Sequence, residues 1–117
     1  MTSVTIIGQN ASWTLGPRQV ARLRRLLEQQ RRFRSDQLAH LDQDRALRSP
    51  DAGVREVAES LLAGARLALH EVRDALRQMD AGQYGTCRDC HALLDADRLE
   101  ALPQVTRCPA CQRVAAR

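Results

Sequence analysis

Lysine is absent from this chain: all eighteen basic residues are arginine. Aromatic residues are nearly absent too, with Trp13, Phe33 and Tyr84 the whole complement. Three rings and a charged fraction of 27% exclude a large globular core. A chain of 117 residues also buries proportionately little surface, so a metal or a partner is expected to help it fold. No apolar run approaches the roughly 18 residues of a membrane span, so no membrane association is expected. The opening stretch MTSVTIIGQNASWTLG has neither a basic start nor a sufficient apolar run for a secretory leader, and a cytoplasmic protein is expected. Its VTII segment would suit a short strand, but no pairing partner is evident nearby, and residues 1–16 read as an irregular N-terminal segment.

What is present in quantity is Ala, Leu, Arg, Glu and Gln, the residues of long helices. Proline and glycine punctuate them. Pro17 suits a first helical turn, and neither Pro nor Gly recurs until Pro50. Within that stretch Val20, Leu23, Leu26, Leu27, Phe33, Leu38, Leu41 and Leu47 recur mostly at steps of three and four. A second helix follows over roughly 52–81, capped by Ser49 or Asp51 and ended by Gly82. There Val54, Ala58, Leu61, Ala65, Ala68, Val72, Ala75 and Met79 alternate steps of four and three, which predicts a heptad seam flanked by Leu62, Leu69 and Leu76. Two such helices joined by RSPDAG predict an antiparallel hairpin over 17–82, with its tip near 48–53 and a rod about 45 Å long.

The rod runs into the cysteines. All four lie in the arrangement Cys87-x2-Cys90-x17-Cys108-x2-Cys111. Each pair can present two soft thiolates to one ion, and four thiolates make a closed tetrahedral site suited to one structural Zn²⁺. Residues 83–117 therefore read as a small four-cysteine zinc finger with a short C-terminal helix, and the expected fold is mainly α. His91 adjoins a ligand but stands beside a complete set; His40 and His70 fall on helices as solvated side chains. With four thiolates and one Zn²⁺ counted, the formal charge of +4 falls to about +2, too mild to imply nucleic-acid binding by itself.

YGTCRDC at 84–90, RLEALP at 98–103 and CPACQ at 108–112 resemble the C-terminal zinc finger of the DksA/TraR family of bacterial transcription regulators. The helical hairpin fits the family's architecture, and the all-Arg, Ala-rich composition is similar to that of actinobacterial members. The resemblance implies direct binding to RNA polymerase, insertion of the coiled-coil tip into the secondary channel, and altered initiation, in some members together with ppGpp. It also implies acidic residues at the tip. Two registers supply them: the Asp44, Arg45, Ala46 run, where Leu41 replaces the family's first Asp, and Asp51 at the geometric tip. His91 stands where the family commonly has Gly, a position that calls for a positive φ.

Arg18, Arg22, Arg24, Arg25, Arg31, Arg32 and Arg34 against Glu28 give the first helix about +6 over its first half. This leaves two rival functions open. One is a nucleic-acid-binding zinc ribbon using that helix; the other is a coiled-coil adaptor. With few rings for stacking and no groove-reading helix, direct DNA binding is not expected. Nor is an enzyme: no nucleophile–base pair or phosphate-binding loop is visible, and the metal site is closed.

Overall fold

The computed structural model describes residues 15–116, so the VTII stretch lies outside the described residues. It is mainly helical. Helix α1 spans Pro17–Asp42, α2 spans Ala52–Asp80, α3 spans Ala96–Ala101 and α4 spans Pro109–Ala115. The first two run antiparallel as a rod, and the molecule measures 57 × 29 × 21 Å. Among the described residues no strand forms; Thr86 and Leu93 make an isolated antiparallel bridge. No described helix is long and apolar enough to cross a membrane.

Local chemistry sets these boundaries. Pro17 opens α1, where its missing N–H costs nothing. The helix stops at Asp42, short of Leu47, which the periodicity had assigned to it. Asp44 then caps a 3-10 turn over Arg45–Arg48, and Asp51 caps α2. The tip is therefore a composite connection across 43–51, with its own helical turn. At the other end Gly82 takes φ 72°. Its N–H donates to Met79 O at 3.1 Å and that of Gln83 to Gln78 O at 2.8 Å, the paired bonds that close a helix on a left-handed residue.

The seam of α2 differs from the expected one by a rotation. Ala58, Leu62, Ala65, Leu69, Val72, Ala75, Leu76 and Met79 are buried, whereas Val54 and Leu61 face solvent and Ala68 is half-buried. The leucines expected to flank the seam are its centre. On α1 only Leu23 and Leu27 are fully buried, and Leu26 and Phe33 face outward. Helix pairing is thus tightest at the base of the rod and thins towards the tip.

The main core lies where rod and finger meet. Leu15, Leu23, Leu27, Val72, Ala75, Leu76 and Met79 pack with Tyr84, Cys87, Leu94 and Leu99 in one cluster. Tyr84 is wholly buried and donates its hydroxyl to Pro103 O at 2.8 Å, so its polar end is satisfied inside the apolar cluster. Rod and finger share this core, which fixes the finger on the base of the hairpin.

Candidate metal centre and rod tip

Two tight turns bring the cysteines together. In the first, His91 N–H donates to Cys87 O at 2.9 Å and Cys87 N–H to Ala92 O at 2.8 Å, wrapping the chain around the Cys87–Cys90 pair. His91 takes φ 65° in that wrap, as the family resemblance implied for this position. In the second, Cys108 caps α4: its Sγ accepts from Cys111 N–H at 3.4 Å, and Pro109 follows as the first helical residue. Arg88 N–H donates to Thr106 O at 2.8 Å, and Arg107 Nε to Asp89 at 2.7 Å, so main chain and side chains both strap the two turns together.

The four sulfurs lie within 4.8 Å of one another. Cys90 Sγ and Cys108 Sγ are 3.8 Å apart, matching the edge of about 3.8 Å in a tetrahedron with metal–sulfur bonds of about 2.3 Å. Their electrostatics also call for a cation. Burial pushes the Cys87 thiol up, but the backbone groups of Cys90, Cys108 and Asp89 outweigh it and bring the group down to about 6. Cys111 is pushed up to about 12, first by the neighbouring Cys108 sulfur and then by those of Cys87 and Cys90. Four thiolates this close cannot all ionise without a positive charge among them. A divalent, thiophilic ion satisfies that condition, and the donor set fits Zn²⁺.

Residues 82–116 match the family model described as the prokaryotic dksA/traR C4-type zinc finger. They are a DksA/TraR zinc finger. The finger carries one structural zinc ion. The fold of the chain is also similar to the solved structure of transcription factor DksA2 from Pseudomonas aeruginosa, with TM-score 0.60, 21% sequence identity, and coverage of 97% of this chain and 95% of that one. No curated protein matches the chain by sequence.

At the far end of the rod, the connection brings Asp44, Arg45, Ala46 and Asp51 onto one tip. Both carboxylates cap helices: Asp44 Oδ1 accepts from Ala46 N–H at 2.9 Å, and Asp51 Oδ1 accepts from Gly53 N–H at 2.8 Å and Val54 N–H at 3.3 Å. Both side chains are exposed, as is Arg45, while Ala46 is half-buried. The two acidic registers of the sequence therefore occupy one structural feature.

Sequence periodicity missed the residues that join rod to finger. Asp74 sits among outward-facing charges by pattern, yet it is buried on α2 and accepts from Arg77 and from Arg88, which lies between the first two cysteines. His70 Nε2, exposed, stands 3.4 Å from the same carboxylate. On the opposite helix Gln19 Nε2 donates to Glu100 at 2.7 Å, and Arg22 pairs with the same group. Arg22 and Gln19 hold the Glu100 carboxyl below the usual carboxylate range. The finger thus grips both helices. His40, exposed, holds its Nδ1 3.0 Å from Asp36 O.

Proposed function

We propose that this chain is a non-enzymatic transcription regulator that binds RNA polymerase directly in the cytoplasm and inserts its rod into the enzyme's secondary channel to modulate initiation. The observation that carries this reading is the placement of two exposed carboxylates at the narrow end of a 57 Å molecule whose other end is a DksA/TraR zinc finger. The likeness in fold to a transcription factor supports it.

In this reading the parts divide the work. Cys87, Cys90, Cys108 and Cys111 ligate the zinc ion, fully coordinating it, so the metal stabilises and performs no hydrolysis. The shared core and the bonds at Asp74 and Glu100 hold the rod at a fixed angle to the finger. Asp44 and Asp51 each use Oδ1 for capping, which leaves a second carboxylate oxygen to meet a cationic side chain, water or a Mg²⁺ ion at the partner's catalytic centre. Arg45 and Ala46 flank that contact.

Binding of the zinc-loaded protein to RNA polymerase from its own organism tests the proposal, with and without an established secondary-channel ligand as competitor. Displacement by the competitor is the expected result. Absence of any binding would sink the regulator reading and leave the zinc fold intact.

A further inference from the structure

We infer that Ser49 is a phosphorylation site, modified by a protein kinase that reads basic residues, and that Arg45, Arg48 and Arg55 receive the phosphoryl group. The site lies in the connection at the rod's tip, apart from the metal centre. The inference goes beyond the reading above and does not depend on it.

The sequence around Ser49 supplies the first half of the case. RALRSP at 45–50 sets arginines one and four residues before the hydroxyl and a proline directly after it. Pro50 disfavours helix at Ser49, and the residue is extended there, at φ −61° and ψ 141°. A kinase cleft holds its substrate as an extended segment, with carboxylates that meet arginines at fixed offsets. Other hydroxyls fit worse. Ser35 follows a richer run, RRFRS, but lies inside α1, and Ser60 lies inside α2. In the finger Tyr84 and Thr106 are buried, and Thr86 Oγ1 already donates to Gln83 O at 2.8 Å. Presenting Ser49 costs only the 3-10 turn over Arg45–Arg48, no residue of which is buried.

The structure supplies the second half. Ser49, Arg45 and Arg48 line one open groove together with Ala46, Pro50 and Val54. Arg55 reaches back from the start of α2, and its Nη1 donates to Ser49 O at 2.7 Å. Asp51 N–H donates to Ser49 Oγ at 3.1 Å, which fixes where that oxygen points. Arg45 and Arg48 are exposed. Among the described residues none of the three arginines is ion-paired. The tip's own carboxylates are engaged elsewhere, Asp44 capping the 3-10 turn and Asp51 the start of α2. Three guanidinium groups without a carboxylate partner therefore adjoin one hydroxyl.

In the transfer, Ser49 Oγ attacks the terminal phosphorus of a nucleoside triphosphate held by the kinase. An Oγ–P bond forms, the bond to the nucleoside diphosphate breaks, and the hydroxyl proton passes to a base of the kinase. The product carries a charge of about −1.5 to −2 and three acceptor oxygens. Guanidinium groups pair with such an ester through two parallel bonds. The phosphate ties Arg45 and Arg48, before the bend, to Arg55 after it, and so braces the connection between the two helices.

The test has two arms. In the first, the chain is isolated from its own organism in growth and in stationary phase and cut after arginine. Residues 49–55 are then one peptide, SPDAGVR, with a single hydroxyl, while Ser35 falls in another, SDQLAHLDQDR. The expected result is SPDAGVR carrying the mass of one phosphoryl group. An unmodified peptide in both states, or phosphate on the Ser35 peptide alone, would overturn the inference. In the second arm, phosphoserine is placed at position 49 of the zinc-loaded chain during translation. It is expected to raise the melting temperature by about 2–6 °C, and the triple Arg45→Gln, Arg48→Gln, Arg55→Gln is expected to abolish that increment. No increment in the wild type, or one undiminished in the triple variant, would overturn the arginine clamp. Neither arm uses polymerase, so both read the same whether or not the chain binds it.

Discussion

Arg88, between the first two zinc-finger cysteines, donates to the buried carboxylate of Asp74 on α2. This bond ties the metal-binding turn to the rod independently of the metal. Burial by itself would raise the Asp74 pKa, but the bonds from Arg77 and Arg88, with His70 nearby, outweigh it and hold the group below its ordinary value of 3.8. A depressed carboxylate pKa adds stability that is complete above the unfolded-state value and disappears as pH falls through the folded-state value. Asp74→Asn is therefore expected to cost about 1–3 kcal/mol at pH 7. In urea titrations the gap between variant and wild type should persist to pH 5 and close below about pH 4. A gap that stayed constant into acid would mean that the carboxylate charge is not what stabilises the junction.

Zinc uptake should release fewer protons than there are ligands. Cys87, at about 6, is already mostly ionised at pH 7, whereas Cys111, pushed up to about 12, must give up its proton to the metal. Proton release is then below four per zinc at pH 7 and rises towards four near pH 5, where Cys87 is protonated before binding. Calorimetry in buffers of different ionisation enthalpy measures it directly. The same linkage makes zinc affinity fall steeply with acid. Chelation should also loosen the base of the rod, since Cys87 belongs to the core cluster shared with Leu23, Leu27 and Met79.

His91 occupies the left-handed region, at φ 65°, because the chain must wrap around the Cys87–Cys90 pair to complete the first turn. A side chain there meets the carbonyl that follows it, and glycine does not. His91→Gly is expected to stabilise the loaded protein by about 0.5–1 kcal/mol, after the greater freedom of glycine in the unfolded chain is offset. Zinc stoichiometry should stay unchanged, because His91 is not counted among the ligands. Loss of metal on this substitution would overturn the four-thiolate assignment.

These residues also show which parts of the molecule the sequence disclosed. The cysteine spacing is a local signal, set within a few residues of chain, whereas the positive φ at His91 was implied by the resemblance, from the Gly the family commonly has there; both reappear in the structure. The two long helices were legible for the same reason. The facing of α2 was not. Val54, Leu61 and Ala68 repeat as regularly as Leu62, Leu69 and Leu76, and the two rows are only about 100° apart on the helix. Periodicity gives a stripe, but which edge of a broad stripe is buried depends on where α1 lies. Asp74 was missed because its partner Arg88 is distant in sequence and meets it only when the finger folds back. The end of α1 at Asp42 was hidden because Arg45–Arg48 continues a helical composition in 3-10 form.

At the tip carboxylates, capping and the proposed contact with a partner are separable, and one substitution distinguishes them. Asp51 caps α2 through Oδ1 and Asp44 caps the 3-10 turn in the same way. Asn caps helices about as well as Asp, so Asp44→Asn and Asp51→Asn should keep the fold and change stability by no more than a few tenths of a kcal/mol. Asp51→Ala removes the cap and should cost about 1 kcal/mol, read as a lower urea midpoint with helix α2 fraying at its first turn. If the carboxylate charge acts at a polymerase centre, the Asn variants will bind polymerase normally yet lose the effect on initiation in a purified transcription assay. If the two aspartates serve only as caps, both Asn variants will regulate like the wild type, and only the Ala variant will fall short. Full regulation by the Asp44→Asn, Asp51→Asn double variant would therefore remove the tip carboxylates from the mechanism and leave the rest of the rod to carry it.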